Sequence, residues 1–100
     1  MPTKFKGFAV DLPANGYVQI DEVNGACDVT IMNQTNASIF VVTNAGNATE
    51  AAAEETASRY LIVPANSAYV HTFRCNPSRT YVEWQGTTVG SNRHSIVIEW

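Results

Sequence analysis

The chain is short of charge, short of cysteine and free of any long apolar run, and each shortage removes a class of function. Charged residues make up 15% of its 100 residues, against the ~25% usual for soluble domains. Six Lys and Arg stand against nine Asp and Glu, a net charge of -3. The basic residues are scattered, so the electrostatic footprint of a nucleic-acid binder is missing and no nucleic-acid partner is expected. No apolar run approaches the ~20 residues of a membrane helix. The start, Met1-Pro2-Thr3-Lys4-Phe5-Lys6, lacks the apolar core of a signal peptide, so a product of the cytoplasm with no membrane partner is expected.

Sites of chemistry are equally scarce. His71 and His94 are far apart, and neither has a second His or Cys at the spacing of a local metal clamp, so no metal and no cofactor are expected. There is no Gly-rich phosphate loop and no nucleophile elbow. Glu83 and Glu99 fall on strand-like runs and would have to meet across neighbouring strands to act as a glycosidase pair, which residue order does not require. The expectation is a protein that is not an enzyme, with no catalytic residues.

What is present is material for one core. Hydrophobic residues reach 45% and aromatics 10%, and a chain of this size buries roughly 65% of its unfolded surface. Apolar runs of four to seven residues recur between polar turns. Phe8, Val10 and Leu12 alternate up to Pro13-Ala14-Asn15-Gly16, and Tyr17 to Ile20 continues as a short strand, so residues 1–25 predict a hairpin or an edge-docking arm. Cys27, Val29 and Ile31 point one way and Asp28, Thr30 and Met32 the other. Ile39-Phe40-Val41-Val42 is apolar on both faces, as a central strand covered by a second layer or subunit must be. Tyr60 to Val63 and Ala68 to Phe73, divided by Pro64-Ala65-Asn66-Ser67, predict a hairpin. Val82 and Trp84, then Ile96, Ile98 and Trp100, supply further inward faces. The last residue, Trp100, is expected to be docked. No βαβ alternation occurs. The fold class is therefore all-β: an antiparallel β-sandwich or small barrel of about seven or eight short strands, in a single domain spanning 1–100.

The segment from Thr43 to Ser58 differs. Ala48 to Ala57 is rich in Ala and Glu, with Asn47 or Thr49 able to cap a helix. A loop or short helix near residues 48–57 is expected, and because no wide apolar stripe is visible it reads as a solvated acidic excursion. The sequons at Asn33, Asn36 and Asn47 read as polar turn sequence. Cys27 and Cys75 have a spacing similar to an immunoglobulin disulfide frame, but Phe40 stands where the core tryptophan would be and Phe73 where the corner tyrosine would be. A bridge and two buried reduced thiols are both open, and the thiols are favoured for a cytoplasmic product.

Three stretches carry a family resemblance: Met32-Asn33-Gln34-Thr35-Asn36-Ala37-Ser38-Ile39-Phe40-Val41, Tyr60-Leu61-Ile62-Val63-Pro64-Ala65-Asn66-Ser67, and Ser95-Ile96-Val97-Ile98-Glu99-Trp100. From Val29 to Trp100 the chain resembles the small β-sandwich modules among accessory virion proteins of tailed bacteriophages, although Asn66 stands where those modules usually carry Gly. The resemblance implies a structural role in the virion: a capsid decoration or cement protein that stabilises the head, or a neck or tail component. It implies as partners the major capsid protein or other virion proteins, and a homo-oligomer, with a trimer fitting the symmetry of such sites. Ile39, Val41, Tyr69, His71, Tyr81 and Trp100 are the candidate interface residues. The alternative is a tail or fibre module that reads a host-surface glycan or receptor through a platform of Trp84, Tyr69 and Tyr81.

Overall fold

The computed structural model describes residues 4–11, 16–33, 35–65, 70–86 and 93–100, and for residues 8–11, 93 and 94 the backbone alone. Strands β1 (Phe5–Asp11), β2 (Val18–Gln19), β3 (Cys27–Met32) and β4 (Ile39–Val42) precede helix α1 (Ala48–Thr56). Strands β5 (Leu61–Val63), β6 (His71–Cys75), β7 (Tyr81–Trp84) and β8 (Arg93–Glu99) follow it, with a 3-10 turn at Pro77–Arg79 before β7. They form two four-stranded sheets, sheet 1 in the order β1-β8-β3-β6 and sheet 2 in the order β2-β7-β4-β5. Every pairing is antiparallel.

The order has a simple origin. Pairings β1·β8, β2·β7, β3·β6 and β4·β5 are those of one long hairpin doubled back at α1. The contacts β3·β8 and β4·β7 then roll that hairpin into two layers. This is jelly-roll connectivity, with β1 and β6 at the edges of sheet 1 and β2 and β5 at those of sheet 2. The all-β sandwich expected from the short alternating runs is thus what the chain forms.

Strand period decides what lies inside. Cys27, Val29 and Ile31 of β3 and Ile96 and Ile98 of β8 meet Ile39 and Val41 of β4, Val63 of β5, and Val82 and Trp84 of β7 in one shared core. Each such side chain contributes about 1.5–3 kcal/mol through removal from water. Trp100 packs on the margin of this core, and its backbone exchanges hydrogen bonds with Lys4 at 2.9 and 3.0 Å.

The hairpin expected over residues 60–73 does not form, and the first two strands, expected as a hairpin or an edge-docking arm, do not pair with each other. β1 joins β8 in sheet 1, whereas β2 joins β7 in sheet 2. Likewise β5 pairs with β4, whereas β6 pairs with β3 across the sandwich. Alternation marks a strand but not its partner, and a turn between two strands serves equally well as a corner between layers. At the β5 corner the side-chain amide of Asn33 donates to the carbonyls of Val63 and Pro64 at 3.3 and 3.1 Å, holding the end of β5 to the loop after β3. Asn66 and the rest of that predicted turn lie outside the described residues.

The Ala/Glu segment is a helix, and it is not wholly solvated. Asn47 caps it by accepting from the Glu50 amide at 2.9 Å, which satisfies one of the orphan donors of the first turn. At its end Ser58 adopts φ +62°, its amide bonds Glu55 O, and the Arg59 amide bonds Glu54 O, a Schellman closure with serine in the place glycine favours. Ala51 is fully buried in a second cluster with Tyr17, Val42 and Ala45, on the outer face of sheet 2. A stripe one alanine wide suffices because the sheet brings the bulk. The apolar outer side of β4 is therefore covered in part by the chain itself.

Candidate functional site

The two outer faces of the sandwich differ in chemistry. On sheet 1, Asp28 pairs with Arg74 at 3.1 Å and Thr30 bonds Thr72 at 2.9 Å across β3 and β6, which is a solvated polar ladder. On sheet 2 the part not covered by α1 carries Phe40 and Ile62, with Glu83 of β7 opposite Phe40 on the same face. Phe40 stands opposite Ile62 in the register, and its ring stacks on Tyr60 with centroids 4.6 Å apart at 29°. Ile62 is 52% exposed on this face, and Leu61, opposite Val41 on the other face of the strand, is 48% exposed at the end of the sheet.

The position of those residues matters as much as their exposure. Among the described residues β5 ends sheet 2, so one of its edges has no strand beside it. The edge strand β1 carries Lys6, bonded to Asp21 at 2.8 Å, and the edge strand β6 carries Arg74. Charges on an edge discourage pairing with another chain, and β5, with Leu61, Ile62 and Val63, has none. Beside it a cleft of about 320 Å3 is lined by Val41, Val42, Thr43, Asn44, Tyr60 and Leu61 together with the Glu54–Arg59 ion pair. The Arg59 guanidinium holds the Glu54 carboxyl below its ordinary range.

The candidate interface residues named from residue order scatter. Ile39 and Val41 are fully buried in the core, because the inward face of β4 is theirs; its outward face belongs to Phe40 and Val42. The surface role assigned to that strand therefore passes to Phe40. Tyr81 is half-buried against the α1 cluster and its hydroxyl donates to Gly46 O at 3.2 Å. His71 is half-buried on the edge strand β6, opposite Ile31. Trp100 is half-buried. Tyr69 lies outside the described residues. Leu61 and Ile62 went unrecognised because a three-residue strand is too short for its period to reveal an unpaired edge.

Other readings are corrected by burial. Trp84 is 1% exposed and its Nε1 donates to Thr35 Oγ1 at 2.8 Å, so it supplies no glycan platform. Glu83 lies on β7 of sheet 2 and Glu99 on β8 of sheet 1, pointing from opposite outer faces, so they form no carboxylate pair. Asn33, at 0% exposure, spends its whole amide internally: Nδ2 on Ala37 O, Val63 O and Pro64 O, Oδ1 on the amide and hydroxyl of Thr35. It is an internal tie and offers nothing to a glycosyl donor. Among the described residues, no three His, Cys, Asp or Glu side chains converge where a metal ion could be held. No family model matches the chain, and no curated protein or solved structure matches it at a significant level.

Proposed function

We propose that this protein is a non-enzymatic structural module of an assembled particle, a capsid decoration or cement protein of a tailed bacteriophage. It binds the major capsid protein and copies of itself. The observation that carries the reading is the uncharged strand β5, which among the described residues ends sheet 2, with Ile62 half exposed beside the stacked Phe40 and Tyr60 and Leu61 half exposed on the other face of the strand. An apolar patch on an open sheet edge marks a protein-contact surface. The virion enters through the sequence resemblance, and jelly-roll connectivity supports it by analogy, since that architecture recurs in viral shells. Copies of the module follow the local symmetry of the shell, a trimer among the arrangements that fit.

The test is reconstitution on bare heads. Added protein should co-sediment with them and raise the temperature at which they burst. The double variant L61D/I62K, folded by circular dichroism, should neither co-sediment nor protect. Failure of the wild-type protein to bind heads, or undiminished binding by the variant, removes the reading.

A further inference from the structure

The two cysteines occupy a relationship that the assembly reading does not use. Cys27 opens β3 and Cys75 closes β6, and the register sets them directly opposite each other. Both are free thiols, 1% and 8% exposed. Residues directly opposite in an antiparallel pair share a face, with Cα atoms about 4.5 or 5.5 Å apart according to the type of pair. A disulfide requires Cα atoms roughly 4.4–6.8 Å apart. The Cα spacing that the register sets thus falls within the range a disulfide spans. An immunoglobulin bridge joins two sheets, whereas this pair lies within sheet 1.

We propose that Cys27 and Cys75 are a modification site at which a low-molecular-weight disulfide such as oxidised glutathione installs a reversible cross-strand bridge. Cys75, the more exposed and on the edge strand β6, supplies the first thiolate. It attacks one sulfur of the oxidant, forming a mixed disulfide and releasing one glutathione thiol. The Cys27 thiolate then attacks the Cys75 sulfur and displaces the second glutathione. Two protein S–H bonds and one oxidant S–S bond are lost, and one protein S–S bond and two glutathione S–H bonds are gained. Two electrons pass to the oxidant. Burial pushes both thiols up from their ordinary value, which keeps thiolate scarce at neutral pH and makes the exchange slow. In a reducing compartment the pair stays a dithiol, and in an oxidising one it closes and ties the edge strand β6 to β3. This inference stands or falls apart from the virion reading.

The experiment is equilibration of the reduced full chain in glutathione buffers of rising oxidised fraction, read by intact mass and by peptide mapping without reductant. A monomer lighter by two hydrogens, with the Cys27 and Cys75 peptides joined and the change reversed by dithiothreitol, is the expected result. Its Tm should exceed that of the reduced form by at least about 5 °C, since the bridge closes a loop of roughly 50 residues. The double variant C27A/C75A should show no response of Tm to the oxidant. Two thiols surviving the most oxidising buffer, stable glutathionyl adducts, intermolecular dimers alone, or a C27A/C75A protein whose Tm still rises would each overturn the proposal.

Discussion

Gly86 lies against the indole of Trp84 so closely that a Cβ there would stand 2.0 Å from Cη2 and 2.1 Å from Cζ2. Trp84 is itself locked, buried in the core with its Nε1 bonded to Thr35. Since the ring has nowhere to retreat, G86A should cost about 1–3 kcal/mol through overpacking, read as a lower midpoint in urea with the same slope.

Asn33 joins the loop after β3 to the end of β5 through one amide. Its removal leaves buried carbonyls and the Thr35 amide without their partner, so N33A should lose about 2–4 kcal/mol in equilibrium unfolding. N33D should cost at least as much at neutral pH, because an ionised oxygen would face the same carbonyls. A loss under 1 kcal/mol in both variants would show that the network is replaceable.

Ser58 pays for its left-handed backbone, φ +62°, where an L side chain is strained by about 1–2 kcal/mol. Glycine relieves that strain and loses part of the gain to the freedom of the unfolded chain. S58G should therefore stabilise the protein by about 0.5–1 kcal/mol, and thermal unfolding gives the direction. N47A at the opposite end of α1 should destabilise by about 1 kcal/mol.

Stability should fall at both extremes of pH for separate reasons. Partial burial works to raise the Asp21 carboxyl, but the Lys6 ammonium and the Glu22 and Val23 amides outweigh it and hold Asp21 below its ordinary range. Its contribution is complete above the ordinary carboxylate value of about 3.9 and is lost as pH falls through the lower folded value. D21N should flatten that acid limb. Tyr17 is pushed up by burial and then by its hydrogen bond to Glu55 at 2.7 Å. Its contribution is complete below about pH 10 and declines as pH rises further. In Y17F the absorbance titration of the folded protein should lose a tyrosine that titrates above the ordinary value.

Much of the inner surface was legible in residue order because burial on a strand is written with a period of two. Cys27, Val29 and Ile31, Val82 and Trp84, and Ile96 and Ile98 all point inward as their alternation predicts. Helix caps are local too: residue order offers both Asn47 and Thr49 as caps for a loop or short helix, and Asn47 is the cap of α1. Strand partners are not local. Nothing between Val63 and His71 states that the two strands it joins belong to different layers, and the choice is made by register, by the Asn33 amide and by which buried face each strand completes. The same holds for the candidate site. Ile39, Phe40, Val41 and Val42 look alike in sequence, and only the stacking of two sheets and a helix decides that Ile39 and Val41 fill the core, that Val42 lies beneath Ala51, and that Phe40 stands beside the open edge of β5. Apolarity is a property of the residue, whereas exposure belongs to the assembled layers.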